Sequence, residues 1–383
     1  MVDDKFIDGF IHAAEQVAPG KNTYVFTFTK PGNYVKSAAG IYAPYGSNEL
    51  KEIIAQVTKH DRVFVHWFND HLQQYIKMLP PETALHLFFW GGDFLEQPES
   101  FQKFNLEPLT QKHLARSIRF SMFRLTRNPL NYFRQIARFL FLKQRLNKER
   151  QGRMAVRSAF LKRLNYFCHW NEMDLDRVKE AYPCNAVFRP FFYDFGFDKF
   201  PAEVLPLSLE GTKTIFLGNS ASLPNNHIDA LHALKHLKNE DIKIICPLSY
   251  GNAGYGDHVA KVGREIFGDR FSDLRQYMPI SEYFNMIKNL DLVIMYHNRT
   301  QAAANIFAFL RMGKKVYLKK ESTIFSLAEV HGIKVFDANE IGNLSLPDLL
   351  FPMPEEARMN NNRIVNEIFS ETNRYEYMKQ LLS

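Results

Sequence analysis

The residues best placed to do chemistry in this chain sit where apolar runs give way to glycine and polar side chains. An apolar run over 214–217 ends in Gly218-Asn219-Ser220, and Asn225-Asn226-His227-Ile228 follows. A strand that turns through glycine towards a helix presents backbone N–H groups and the positive end of a helix dipole, a combination that holds phosphate. Tyr296-His297-Asn298-Arg299-Thr300-Gln301 follows another apolar run, with Asn305 just beyond. Arg299 beside a helix start suits an anion and can neutralise charge building on a diphosphate leaving group. Gln301 and Asn305 are then candidate sugar or nucleotide ligands; the plainer reading of Arg299 is a surface arginine. After a further run, Glu321 in Lys319-Lys320-Glu321-Ser322-Thr323 can accept hydrogen bonds from ribose hydroxyls or simply cap a helix. Pro247-Leu248-Ser249-Tyr250 offers Tyr250 as a base-stacking or phosphate-contacting group, or as an ordinary turn residue.

Two candidate bases lie in the first half. His86-Leu-Phe-Phe-Trp90-Gly91-Gly92-Asp93 reads as a strand with a carboxylate at its tip, able to take a proton from an acceptor hydroxyl. His66, at the end of the preceding strand, competes for that role. Their structural alternatives are a helix N-cap for Asp93 and a core histidine for His66. The chain has no P-loop, no G-x-G-x-x-G and no His/Cys set at ligand spacing. Asp174-Leu175-Asp176 has metal-site spacing but opens a helix, where acids are expected. Neither a metal nor a cofactor is therefore expected.

Apolar runs alternating with amphipathic segments of about ten residues position these groups. Residues 211–336 read as strands at 214–217, 242–246, 274–277, 292–296, 315–318 and 335–336. Helices lie between them, one capped by Ser281 and one closed by Gly313. This pattern implies a parallel, doubly wound α/β sheet with ligands beyond the C-terminal strand ends. The first half repeats it less regularly, beginning with a helix at 6–16 where a doubly wound half begins with a strand. Residues 195–212, with Gly196, Pro201, Pro206 and Gly211, read as a hinge. The expected division is 1–200, 201–350 and a pair of C-terminal helices over 351–383. Two Rossmann-like domains facing a cleft constitute the GT-B architecture.

Between Lys112 and Arg163 there are fifteen Lys and Arg residues against one acid, Glu149, interleaved with Phe, Leu, Ile and Tyr. We expect basic helices over 110–165, inserted in the first domain and lying on an anionic membrane surface. No nucleic-acid-binding signature accompanies them, so nucleic acid is not an expected partner. The 383 residues contain no apolar run long enough to span a bilayer, no secretory leader and three cysteines without framework spacing. Those features fit a reducing cytosol.

Taken together, Gly218-Asn-Ser220 with Asn225-x-His227-Ile228, Pro247-x-x-Tyr250, Asp291-Leu292, Arg299-x-Gln301 and the Glu321 neighbourhood resemble glycosyltransferase family 56. Trp90-Gly-Gly-Asp93 is similar to that family's Trp-Gly-Ala-Asp. The resemblance implies an inverting, metal-independent GT-B enzyme. It implies a TDP-sugar donor, with 4-acetamido-4,6-dideoxygalactose or a fucose-like sugar, and a polyprenyl-diphosphate-linked glycan acceptor at the cytoplasmic face of a bacterial inner membrane. Asp93 or His66 would be the base, and Arg299 would stabilise the diphosphate. Gly218, Asn219, Ser220, Asn225, His227, Pro247, Tyr250, Gln301, Asn305 and Glu321 would bind the donor. The chain departs from the family where glycines follow Arg-x-Gln: it has Ala302 and Ala304. The alternatives are a GT-B transferase using a UDP- or GDP-sugar and a non-catalytic basic membrane adaptor.

Overall fold

The computed structural model describes residues 1–95, 105–123, 132–206, 211–276 and 278–383, with the side chains of 118–123, 132–143, 146, 198, 280 and 281 outside the description. The chain forms two compact units. One joins Met1–Ser100, Asn128–Phe195 and Phe369–Ser383, and the other joins Phe101–Arg127 and Gly196–Ile368.

In the first unit, β1 (Tyr24–Phe26) and β2 (Gly40–Tyr42) form a small parallel pair. A separate parallel sheet contains β3 (Arg62–His66), β4 (Ala84–Phe88), β5 (Tyr166–His169) and β6 (Val187–Pro190) in consecutive order. The half does open with a helix, β1 comes after it and lies outside the main sheet, and the main sheet advances in one direction only. Phe10 of the helix Ile7–Val17 packs on His66 and Phe88. The helix Glu371–Leu382, capped by Ser370, drives Met378 and Leu381 into the same core. Residues 351–383 thus divide. The helix Glu355–Ile368 stays with the second unit, and Glu371–Leu382 closes the first.

The basic segment divides as well. The helix Tyr132–Arg163 belongs to the first unit, whereas Pro108–Phe123, expected beside it, belongs to the second. Asp229 draws the latter in. Its carboxylate accepts from Leu109 N at 2.7 Å, Thr110 N at 2.9 Å and Thr110 Oγ1 at 2.6 Å, capping the helix from another part of the chain. Not every cation of the segment faces outward. Arg157 is only 3% exposed and pairs with Asp70 at 3.0 Å, and Arg163 donates to the carbonyls of Pro80 and Thr83. Phe160 and Leu161 fill the core behind them. Most of the expected membrane-facing stripe lies outside the described side chains. No helix among the described residues is long and apolar enough to cross a membrane.

The second unit carries six parallel strands: β7 (Lys213–Leu217), β8 (Ile242–Pro247), β9 (Phe271–Leu274), β10 (Leu292–Met295), β11 (Lys315–Leu318) and β12 (Phe336–Asp337). Their spatial order is β12-β11-β10-β7-β8-β9, so the sheet winds outward from β7 and then reverses through β10. All four residues of β10 are buried, as a central strand covered on both faces requires. Ile215, Leu217, Ile244, Leu292 and Ile294 lie in one core. β9 precedes the expected strand at 274–277, and the next helix begins at Ile280 behind Pro279 rather than behind Ser281. Proline's fixed φ and missing N–H suit it to that entry. Gly313, at φ 71, follows the helix Ala303–Arg311 as expected of a left-handed C-terminal stop. The buried ammonium of Lys314 donates to the carbonyls of Lys288 and Leu290, and that of Lys315 to Leu349, staples that satisfy carbonyls around helix C-terminal ends.

Leu381 is 3% exposed. Leu381→Ala should cost the first unit about 2–5 kcal/mol, read as a lower denaturation midpoint in that unit's transition.

Candidate active site

The point where winding reverses, between β7 and β10, is where a doubly wound sheet opens a crevice at its C-terminal edge. The loops leaving those strands are joined there by side-chain hydrogen bonds with Asn225 at their centre. Asn225, fully buried, accepts at Oδ1 from Asn219 N (2.9 Å) and His297 Nε2 (2.8 Å). Its Nδ2 donates to Ser220 O (3.0 Å) and Ser222 Oγ (2.9 Å). The backbone N–H of Asn219 can only donate, so it fixes the amide orientation and thereby puts a proton on His297 Nε2. Asn219 Nδ2 donates to Tyr250 Oη at 2.9 Å, and Gln301 Nε2 donates to Asn219 Oδ1 at 3.0 Å and Ser222 Oγ at 3.1 Å. Gly218, Asn219, Ser220, Asn225, Tyr250 and Gln301, read separately from the sequence, thus form one network. Ser222 and His297 belong to it and were not singled out, although His297 stands inside the motif around Arg299.

Gly218 must be glycine. Its φ is 71°, and a Cβ there would collide with His227 Nε2. Both ring nitrogens of His227 are buried without a hydrogen-bond partner. Burial pushes the His227 and His297 imidazoles down to about 3, so both are neutral at physiological pH. An unpartnered buried imidazole costs about 1–3 kcal/mol, and Gln301 Oε1 is unpartnered too. These groups await something polar. Arg299 is 5% exposed, so it is not a surface arginine, and its Nη1 donates to Thr300 O at 2.6 Å. Pro247 ends β8, Asn305 lies in the first turn of Ala303–Arg311, and Glu321 accepts from Asn339 Nδ2 at 3.2 Å. Those three are at the same sheet edge but outside the network. Ala302 has φ 56°, a left-handed conformation that glycine adopts freely and alanine does not. The methyl group therefore adds strain at this position.

In the first unit, His66 ends β3 and Asp93 follows the neighbouring β4. Asp93 is fully buried, with Oδ2 3.5 Å from Phe68 N and Oδ1 without a partner. Burial pushes its carboxyl up to about 7, only partly opposed by backbone N–H groups and Arg157. A base titrating there can both hold and release a proton near neutrality. His66 Nδ1 lies 2.7 Å from Tyr193 Oη, which also receives Trp90 Nε1–H at 3.1 Å. The indole can only donate, so the Tyr193 oxygen accepts there and shares its remaining hydrogen-bonding capacity with His66 Nδ1. Burial lowers the His66 imidazole, keeping it neutral. Trp67, directly after His66, has φ 65°, an uncommon strain for a bulky residue and one that clusters at functional sites. A second buried pair, His169 Nε2 and Asp174 Oδ2 at 2.9 Å, lies after β5, so Asp174 acts as a histidine partner as well as a helix-opening acid.

Solved structures similar to this chain include a glycosyltransferase from Rickettsia africae (13% identity over 98% of this chain and 93% of that one, TM-score 0.60). Another is the sucrose-phosphate synthase of Thermosynechococcus elongatus (10%, 97% and 90%, 0.58). The N-terminal domain of the Candida albicans trehalose-6-phosphate phosphatase is a third (11%, 87% and 71%, 0.54). The fold they share, two units each built on a parallel sheet, is GT-B, and with the family match it makes this chain a glycosyltransferase. More narrowly, residues 196–344 of the second unit match the family described as 4-alpha-L-fucosyltransferase glycosyl transferase group 56.

Two stability effects follow. Ala302→Gly should raise stability by about 0.5–1 kcal/mol in thermal denaturation, because strain is relieved at only a modest entropic cost. For Asp93, the unfolded carboxyl releases its proton near its ordinary 3.8 and the folded one near 7. The folded state is therefore penalised progressively as pH rises through that window, by about 4 kcal/mol above it (roughly 3 pH units at 1.36 kcal/mol each). Asp93→Asn should accordingly stabilise the protein by on the order of 2–4 kcal/mol at pH 8 and hardly at all at pH 4, measured as the difference in melting behaviour between the two.

Proposed function

We propose that the protein is an inverting, metal-independent transferase that moves a deoxyamino sugar, 4-acetamido-4,6-dideoxygalactose or a fucose-like sugar, from its TDP form. The acceptor is a polyprenyl-diphosphate-linked glycan in bacterial surface polysaccharide synthesis, reached from the cytoplasmic face of the inner membrane. The observation that carries the reading is the Asn225 network at the β7–β10 reversal, inside the segment that matches family 56. Its glycine turn, neutral imidazoles and unsatisfied amide oxygen suit the phosphate and hydroxyl groups of a nucleotide-sugar.

In the proposed reaction, Asp93 takes the proton of an acceptor hydroxyl while that oxygen attacks the anomeric carbon, and the bond to the nucleoside diphosphate breaks with inversion. The first choice is Asp93 because its unpartnered Oδ1 is free to receive the proton and its pKa lies near neutrality. His66 is the second choice: its Nδ1 is already engaged with Tyr193. Arg299 balances the charge left on the diphosphate. Gly218, Asn219, Ser220, Asn225, His227, Pro247, Tyr250, Gln301, Asn305 and Glu321 surround the donor. The cations of 112–163 draw the protein to an anionic membrane surface.

Thermal shifts with TDP, UDP, GDP, ADP and CMP at matched concentrations test the donor. Selective stabilisation by TDP is expected; selective stabilisation by UDP or GDP would replace the donor, and no shift with any would remove the nucleotide-sugar reading. Asp93→Asn should lower turnover at least a hundredfold with nucleotide binding unchanged, and near-normal turnover would discard Asp93 as the base.

A further inference from the structure

Glu107 carries no motif and lies far in sequence from the other donor-site candidates, yet the fold delivers it to them. Its backbone N–H donates to Asn226 Oδ1 at 2.9 Å, tying it to the loop before His227. Its carboxylate Oε1 accepts from Asn298 Nδ2 at 2.8 Å and stands 3.0 Å from the ammonium of Lys319. Asn298 follows β10 and Lys319 follows β11, so the carboxylate lies at the C-terminal edge of the sheet. Lys319 is 3% exposed, lies over the Tyr296 ring at 4.6 Å and is 3.7 Å from Glu321 Oε2. One buried cation therefore stands between two carboxylates, which gather acceptor lone pairs at this spot. Glu107 also fixes the Asn298 amide, and the Asn298 Oδ1 on the opposite side is buried without a partner. The Glu107 side chain itself is 19% exposed and within reach of a ligand.

A spot rich in acceptors and poor in donors, at the strand ends of a nucleotide-binding sheet, suits a ligand that brings O–H groups. Resting on the nucleotide-sugar reading above, we propose that Glu107, together with Glu321, accepts hydrogen bonds from the pentose of the nucleoside diphosphate, through its 3′-hydroxyl in TDP. A residue from the first third of the sequence then completes the donor site of the second unit.

Titration calorimetry of the full chain and of Glu107→Gln with TDP, UDP, GDP and ADP, and with inorganic pyrophosphate as a pentose-free control, tests this. The nucleoside diphosphate that wild type binds should weaken about tenfold or more, the loss expected for a hydrogen bond to a charged group. Pyrophosphate should bind the variant as well as wild type or better, because one negative charge has gone. Unchanged or tighter nucleoside diphosphate binding would overturn the assignment. Equal weakening of both ligands would also overturn it, since Glu107 would then only hold Lys319 and Asn298 in place. Wild type that binds none of the four nucleotides removes the nucleotide-sugar reading and this proposal together, whereas binding by wild type that Glu107→Gln leaves intact removes the Glu107 assignment alone. If Glu107→Gln does not fold, Glu107→Asp, which keeps the charge on a shorter arm, should show the same split between the two ligands.

Discussion

The Asn225 amide holds the second unit's site in one piece. Winding outward from β7 and back through β10 leaves two loops side by side with no strand pairing to join them, and each must bury polar backbone. A side chain with an acceptor at one end and two donors at the other meets both needs. Its oxygen binds the turn after β7 to the histidine after β10, and its nitrogen folds the 220–222 loop back on itself. The glycine at 218 and the neutral histidines at 227 and 297 are consequences of the same crowding. There is no space for a Cβ, and too little water for an imidazolium.

Burial does comparable work in the first unit. The same desolvation that keeps His66 neutral keeps a proton on Asp93 until about pH 7, so two comparably buried groups differ in their hydrogen-bond partners rather than in exposure. The cost is visible as orphaned atoms, Asp93 Oδ1 and His66 Nε2, in a sheet edge otherwise sealed by Trp67, Trp90 and Tyr193. Local strain at Trp67, just after β3, and at Ala302, just before the helix Ala303–Arg311, shows the fold imposing backbone shapes that the side chains there do not favour.

The second unit was largely legible because buried parallel strands read as apolar runs and its network residues stand within a few positions of those runs. Gly218 to Asn225 and Gln301 needed only the strand ends to be placed correctly. What escaped reading was long-range. Lys314, Lys315, Arg157 and Arg163 look like surface charges until helix ends and carbonyls in other segments claim them. Asp229 caps a helix that begins over a hundred residues earlier, and nothing in the composition of 101–127 says that it leaves the first unit. Boundaries shifted by a residue or two, as at Pro279, because a rigid residue outcompeted the polar cap beside it.

Neither unit is one stretch of sequence, and this orders events during synthesis. The second unit is complete in sequence once residue 368 has emerged, and its early piece, 101–127, has by then waited through the making of much of the first unit. The first unit, begun at residue 1, lacks Met378 and Leu381 until after that point. The earlier-started half is thus the later to close. Until the helix Glu371–Leu382 docks, the apolar cluster that Met378 and Leu381 complete stays open on a nascent chain, the kind of surface that chaperones hold and that aggregates when they do not.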